Sequence, residues 1–171
     1  DWFYKAVSFV AARGLEVGIG DGLFAPYSPI TRGQFITMLM NAYGIAPDAD
    51  PADNFEDAGD TYYTGYLSTA KRLGIASVIG DNLYAPEASL SYQDMVALTY
   101  RALGVLGELP KNEAADLAAY PDSSEIAGYS REAFAALLGA DALRVVGGQL
   151  RPTRTAVRAE MADMLYRLLS V

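Results

Sequence analysis

Residues 20–35, GDGLFAPYSPITRGQF, join a glycine- and proline-rich turn to the start of an apolar helix. Thr31 followed three residues later by Gln34 is a capping box, in which the hydroxyl and the amide each bond to the other residue's backbone N–H. Arg32 fits less well, because the first turn of a helix carries partial positive charge and disfavours a cation. We therefore expect a helix to begin here, and the arginine needs an explanation beyond folding.

The same pattern returns 60 residues later without a gap, since residues 80–95 read GDNLYAPEASLSYQDM. A third, looser copy has one residue deleted in its turn and reaches residues 156–160 at an offset of 126. Self-similarity of this kind is the signature of repeat architectures. We divide the chain into three units at about residues 1–44, 54–104 and 119–171, with linkers at 45–53 and 105–118.

Each unit reads as helix, loop, helix. In unit one, Phe3, Ala6 and Val10 lie on an apolar stripe with helical spacing, and Phe35 and Met38 start a second stripe. One two-helix unit cannot bury both apolar faces, but three units can if their second helices meet in a central bundle. The sequence therefore predicts a mainly α fold, a single domain over residues 1–171 with pseudo-threefold character.

Composition excludes several classes of function. The net charge of −8 opposes non-specific binding to nucleic acid or to an anionic membrane. The chain has no cysteine and no histidine, which excludes thiol nucleophiles, Ser-His-Asp triads and the usual zinc sites. No apolar run approaches the roughly 20 residues of a membrane helix. No carboxylate pair stands out as a glycosidase would require, so we expect neither an enzyme nor a cofactor.

Taken together, these features resemble the S-layer homology (SLH) family. The segments that carry the resemblance are the aromatic start at residues 2–4, the turn at 20–26, the Ile-Thr-Arg-Gly-Gln of 30–34 where the family has Thr-Arg-Ala-Glu, and the Phe-x-Asp-like segments 55–57 and 120–122. The resemblance implies three prongs around a three-helix bundle. It also implies that the chain anchors an exported cell-surface protein non-covalently to the bacterial cell wall. The implied partner is a secondary cell-wall polymer linked to peptidoglycan, often pyruvylated. Because no signal peptide is visible and an amphipathic helix starts almost at once, we expect a mature or trimmed fragment.

The resemblance also implies where the ligand binds, namely in grooves between adjacent repeats where the motif arginine meets an anion. Arg32 beside free backbone N–H groups at the helix start would form such a site. The alternative is a salt bridge from Arg32 to a neighbouring acid, such as one within residues 48–60. The predicted ligand-binding residues are Arg32, Arg158, Gly18, Thr31, Gln34, Trp2 and Glu160.

Units two and three depart from the family pattern. Tyr92 stands where unit one has its arginine, so we expect that groove to lack its anion contact. Unit three keeps Arg158 and Glu160, and Gly18 of unit one matches the family's loop glycine. We expect one functional groove, at most two. The alternative function is a structural module that packs against other S-layer protein domains and has lost or reduced polymer binding.

Several other residues allow two interpretations. Trp2 would either stack on a sugar or pack under the first helix, whereas for Tyr92 packing is favoured over sugar stacking. Asp57 and Asp122 are expected to cap or brace the first helix of their units. The acids of residues 48–60 lack the order of a calcium-binding EF-hand loop, which favours a solvated segment.

Overall fold

The computed structural model describes residues 1–15, 23–50, 52–77 and 79–171. Over these ranges the chain is mainly helical, which confirms the predicted fold class, and none of these helices is long and apolar enough to cross a membrane. Three short 3₁₀ turns lie between residues 117 and 130. The helices are α1 (Tyr4–Ala12), α2 (Arg32–Ala42), α3 (Thr64–Arg72), α4 (Tyr92–Leu106), α5 (Arg131–Gly139) and α6 (Arg158–Leu169).

The first helix of each unit packs against the second helix of the preceding unit. Helix α3 contacts α2, α5 contacts α4, and α1 closes the cycle by contacting α6 at the other end of the chain. Helix α2 also packs against α4 and α6, so the second helices meet at the centre. The contacts therefore join all three units, while the limits of the repeats and linkers stay predictions.

A closed ring of three backbone hydrogen bonds marks the pseudo-threefold axis. The N–H of Ile30 donates to the Ala156 carbonyl (3.1 Å), that of Leu90 donates to Ile30 (3.0 Å), and that of Ala156 donates to Leu90 (2.8 Å). All three residues are fully buried. The residue that precedes each helix cap thus binds its two counterparts, and this fixes the start of all three second helices at one place.

Helix α2 is buried on nearly every side rather than along one stripe. Seven of its residues are buried, from Gly33 to Met40, including Thr37, whose hydroxyl donates to the Gly33 carbonyl. A helix that is apolar all round belongs in the centre of a domain. Its predicted capping box is confirmed, because Thr31 Oγ1 accepts from the Gln34 N–H at 3.1 Å and Gln34 Oε1 accepts from the Thr31 N–H at 3.0 Å.

The prediction for the two aspartates of the Phe-x-Asp segments was wrong. Asp57 accepts the backbone N–H groups of Tyr84 (2.9 Å) and Ala85 (2.7 Å), both in the turn that precedes α4. Asp122 accepts the N–H of Leu150 and, at 2.7 Å, that of Arg151 in the turn that precedes α6. These carboxylates therefore hold the turn before the second helix and do not cap the first one. The turn needs such a support because Ala85 and Arg151 have positive φ values of 59° and 50°.

The acidic segment of the first linker is tied to α3 by ion pairs. Asp48 pairs with Arg72 at 3.0 Å and Asp53 pairs with Lys71 at 2.7 Å. The hydrogen bond from Arg72, with that from Ser68, lowers the pKa of the Asp48 carboxyl. Over the described ranges, His, Cys and acidic side chains do not gather in groups of three that could hold a metal ion.

Candidate functional site

The larger groove lies where all three units meet, and we call it groove A. It has a volume of about 340 Å³ and is lined by Arg32 at the start of α2, by one face of α4, by Tyr129 of unit three and by the loop that follows α3. The face of α4 consists of Asp94, Ala97, Leu98 and Arg101.

Arg32 is held rigidly on the wall of groove A. Its Nε donates to the Tyr84 carbonyl at 2.8 Å, its Nη1 pairs with Asp94 at 3.2 Å, and its guanidinium lies 4.5 Å from the centre of the Tyr84 ring. The side chain is only 12% exposed. The alternative prediction, a salt bridge from Arg32 to a neighbouring acid, is therefore confirmed; that acid is Asp94 of α4 rather than one of residues 48–60.

The expectation that Arg32 lies beside free backbone N–H groups was wrong. The N–H of Arg32 donates to the Ala88 carbonyl (2.9 Å) and that of Gly33 donates to the Pro86 carbonyl (2.8 Å), both in unit two. The next N–H along the helix, that of Gln34, donates to the hydroxyl of the capping residue Thr31. Because the following unit's turn already satisfies these donors, an anion in groove A must bind to side chains.

Two further side chains of groove A matter for a ligand. Tyr129 is 57% exposed, and its hydroxyl donates to Asp94 at 2.5 Å. Partial burial and this bond to a carboxylate raise the pKa of Tyr129 to about 12, so its phenol stays neutral. Arg101, on the same wall, makes no ion pair within the described part of the chain. Groove A therefore presents one neutralised and one available guanidinium.

A second groove, groove B, repeats this arrangement one unit further on. It has a volume of about 170 Å³, and its lining includes Tyr92, Trp2, a face of α6 and the loop side chains Arg144 and Arg154. Tyr92 is 3% exposed and packs against Phe134, which confirms the packing interpretation. Burial raises its pKa to about 12.

Groove B contains a guanidinium although Tyr92 stands in place of the helix arginine, and the expected loss of the anion contact stays a prediction. The Arg154 guanidinium carbon lies over the Tyr92 ring, 3.9 Å from its centre, and Arg154 Nη1 donates to the Leu150 carbonyl at 2.8 Å. Its Nε also donates to Glu160 at 3.0 Å. The missing helix arginine is thus replaced by one from the turn, four residues before Arg158.

At the third equivalent position, Arg158 is 1% exposed. Its Nε donates to the Phe24 carbonyl at 2.7 Å, and its guanidinium lies 4.9 Å from the Phe24 ring centre. Gly18, the predicted ligand-binding glycine of unit one, lies outside the described residues.

The remaining predicted site residues lie at helix caps or at groove B. Thr31 and Gln34 use their side chains for the α2 cap, and Glu160 accepts from the Val157 N–H at the start of α6. Trp2 lies on the rim of groove B, with the Arg144 guanidinium 4.1 Å from its ring centre. The ligand-binding roles of these residues stay predictions.

Sequence reasoning missed Arg101, Tyr129, Arg144 and Arg154. Arg101 could have been found, because it follows Asp94 by seven residues and so shares its helical face. Tyr129 lies 127 residues after Trp2 and is its counterpart in unit three. The offset is 127 before the turn and 126 after it, because the deleted residue lies in the turn that follows the first helix. The two loop arginines carry no sequence signal, because their role depends on the folded turn.

Comparison with known proteins gives consistent results. Residues 1–36 and 54–96 each match the family model of the S-layer homology domain. The chain is 25% identical over 173 residues to an amylopullulanase of Thermoanaerobacterium thermosulfurigenes, which covers 99% of this chain and 9% of that protein. It is 22% identical over 169 residues to the S-layer protein sap of Bacillus anthracis, with 97% and 20% covered.

A cell surface protein of Thermoanaerobacter kivui is 30% identical over 107 residues, 60% of this chain and 14% of that protein. The chain thus spans a fifth or less of the length of these three relatives.

Proposed function

Since the chain belongs to the S-layer homology family, we propose that it anchors a larger protein to the bacterial cell wall by binding an anionic wall saccharide in groove A. The chain is a binding module of a cell-surface, cell-wall-associated protein. The ligand we propose is a secondary cell-wall polymer linked to peptidoglycan, with a pyruvate ketal on its terminal sugar.

The observation that carries this proposal is the pair of arginines in groove A. Arg32 is neutralised by Asp94 and fixed to a backbone carbonyl, so it shapes the wall of the groove. Arg101 lies on the same wall without an ion pair in the described ranges. A guanidinium of this kind can bind a carboxylate through two parallel hydrogen bonds.

The rest of groove A suits a sugar ring. Tyr129 presents an exposed aromatic face at the rim, and its hydroxyl is oriented by Asp94. An aromatic ring supplies flat apolar surface against which the C–H face of a sugar can pack, while its polar end remains hydrogen-bonded. A pyruvylated sugar combines such a face with one carboxylate, which matches one ring and one available guanidinium. With a net charge of −8, the chain would bind such an anion through these local contacts and not by long-range attraction.

The proposal is tested by co-sedimentation with cell-wall sacculi that carry a pyruvylated secondary polymer, half of them stripped of that polymer by acid. We expect the protein to pellet only with unstripped sacculi. Arg101→Ala should weaken binding at least tenfold, because a charge-assisted hydrogen bond contributes about 1.5–3 kcal/mol. Arg101 makes no hydrogen bond or ion pair in the described structure, so this variant should keep the wild-type circular dichroism.

Lys111→Ala is the matched control, since it removes one exposed charge outside both grooves. Binding that is equally strong with stripped sacculi, or that Arg101→Ala leaves intact, would contradict saccharide binding in groove A.

The second candidate function is an assembly module that packs against another protein domain. It is favoured by Ile79 and Val146, which are exposed at the rims of grooves A and B respectively. A protein interface would be insensitive to competing pyruvylated saccharides. Failure of such saccharides to release the domain from whole S-layer material would therefore favour assembly over polymer binding.

A further inference from the structure

We infer that Asp94 sets the charge selectivity of groove A, because its carboxylate admits a ligand with one negative charge and disfavours a ligand with two. This inference rests on the proposed function, since it takes groove A as the place where a saccharide binds. It goes beyond that function because it assigns to an acidic side chain the choice between a carboxylated sugar and a phosphorylated one.

Asp94 differs from its two counterparts in the use of its side chain. The third residue of α2 is Gln34 and that of α6 is Glu160, and both accept the N–H of their own cap residue at 3.0 Å. Asp94 is the third residue of α4, and its side chain is one methylene shorter than theirs. Its carboxylate makes no such bond in the described structure and lines groove A instead.

The Asp94 carboxylate binds side chains from both other units. Its Oδ2 pairs with Nη1 of Arg32 at 3.2 Å, and its Oδ1 accepts from the Tyr129 hydroxyl at 2.5 Å. The Asp94 side chain is 29% exposed, so these two bonds leave part of the carboxylate open to the groove. A ligand that reaches the Arg32 guanidinium therefore also meets a negative charge.

The described lining of groove A carries one net positive charge. It contains two cations, Arg32 and Arg101, and one anion, Asp94. Partial burial and the bond to Asp94 raise the pKa of Tyr129 to about 12, and burial raises the pKa of Tyr84, whose ring lies 4.5 Å from the Arg32 guanidinium, to about 12. Both phenols are therefore neutral, and one negative charge on a ligand balances the groove.

A second negative charge on the ligand would lie close to Asp94. Like charges a few ångström apart repel far more strongly in a partly buried groove than in bulk water. A single carboxylate avoids this repulsion when it binds to Arg101, because Arg101 follows Asp94 by seven residues and lies about two turns further along α4. Asp94 should therefore penalise a dianion much more than a monoanion.

The test compares two ligands that are built on the same sugar. One is the methyl glycoside of a 4,6-pyruvylated hexose, which carries one negative charge. The other is the 6-phosphate of that glycoside, which carries nearly two at pH 8 because the second pKa of a phosphate monoester is about 6. The affinity of the full chain for each ligand is measured by calorimetry at pH 8. We expect the wild-type chain to prefer the pyruvylated ligand by about tenfold, and Asp94→Asn to abolish that preference.

Two further variants separate charge from structure. Asp94→Glu keeps the negative charge and should keep the wild-type preference. Asp60→Asn is the matched control, because it removes an exposed carboxylate that lies outside both grooves and should leave the ratio of the two affinities unchanged. If Asp94 only held Tyr129 and Arg32 in place, Asp94→Asn would weaken both ligands alike and leave that ratio unchanged.

The outcomes also distinguish this inference from the proposed function. A wild-type ratio of affinities in Asp94→Asn, or a wild-type chain that prefers the phosphate, would overturn the selectivity of Asp94 and leave saccharide binding in groove A intact. Absence of binding of both ligands to the wild-type chain and to Asp94→Asn would overturn the proposed function and this inference together.

Discussion

Asp122 shows how one side chain organises a turn that the sequence leaves undefined. Its carboxylate accepts N–H groups from Leu150 and Arg151, and Asp57 does the same in unit two. Burial alone would raise the pKa of Asp122, but these N–H donors and the nearby Arg154 outweigh burial and lower it below its ordinary value of 3.8. The charged form is therefore the one that the fold stabilises.

The lowered pKa of Asp122 makes stability depend on pH in a defined direction. The contribution is fully present above the ordinary value of 3.8 and is lost as the pH falls through the lowered folded-state pKa. We expect Asp122→Asn to cost about 1 kcal/mol at pH 7, a fall of about 3 °C in Tm, because an amide accepts these bonds less strongly. The difference from wild type should shrink towards pH 2.

Thermal unfolding followed by circular dichroism between pH 2 and pH 7 measures this effect. Asp60→Asn is the control, since Asp60 is exposed and makes no hydrogen bond in the described structure. A Tm difference for Asp122→Asn that is the same at every pH would contradict a role for its charge.

At the scale of elements, the sequence predicts which faces are buried better than which faces meet. Helical spacing identified the start of α2, its cap and the buried Phe35 and Met38, because these depend on residues three or four apart, but it did not predict that the other faces of this helix are buried too. It did not reveal that α1 packs on α6, since an apolar stripe looks the same whichever helix covers it. The pairing is decided by the turns, whose carbonyls bind the helix starts of the preceding unit.

The same limit applies to the grooves. The motif identifies Arg32 as a candidate ligand-binding residue. Tyr92 replaces the arginine of that motif in unit two, and the sequence therefore indicates that an anion contact is lost there. The contact of Arg154 with the Leu150 carbonyl depends on the path of a turn in which Arg151 has positive φ. A guanidinium on a long side chain can reach one place from several positions, so a motif alone under-counts cationic grooves.

The first linker packs directly against α3. Substitutions at two glycines, Gly65 and Gly104, test how close this contact is. A Cβ added to Gly65 would lie 2.6 Å from the Asp48 carbonyl oxygen, whereas one added to Gly104 of α4 would meet nothing within 4 Å. We expect Gly65→Ala to lower the free energy of unfolding by about 2 kcal/mol, because the linker must shift and lose its bond from the Asp48 N–H to the Gly65 carbonyl.

Gly104→Ala is the matched change at an exposed helix position and should raise the free energy of unfolding by about 0.5–1 kcal/mol through helix propensity. Urea denaturation with a common m-value compares the two variants. Equal effects of both substitutions would mean that the linker does not pack on α3 in solution.

At the scale of the whole molecule, the cyclic order of contacts links the two ends of the chain. The N–H groups of Arg158 and Ala159, at the start of α6, donate to the carbonyls of Ser28 and Pro26 in unit one. Unit one in turn binds unit two, and unit two binds unit three, through the same pairs of bonds. Each unit therefore accepts hydrogen bonds from the first backbone N–H groups of another unit's second helix.

Because the three units contact one another in a closed cycle, a destabilising substitution in unit two should also destabilise the contact between units one and three. Leu67 of α3 is fully buried, and its replacement by alanine should cost about 2–5 kcal/mol, or roughly 5–15 °C in Tm. Trp2, beside groove B, reports on the contact between units one and three, while far-ultraviolet circular dichroism reports on all helices. Because the three units are joined in a cycle, we expect them to unfold together, and both signals should move to the same lower Tm.

Leu109→Ala makes the same chemical change at an exposed position and should shift neither signal by more than about 2 °C. If the three units were instead independent, the circular dichroism transition would broaden or split while the Trp2 transition kept its wild-type Tm.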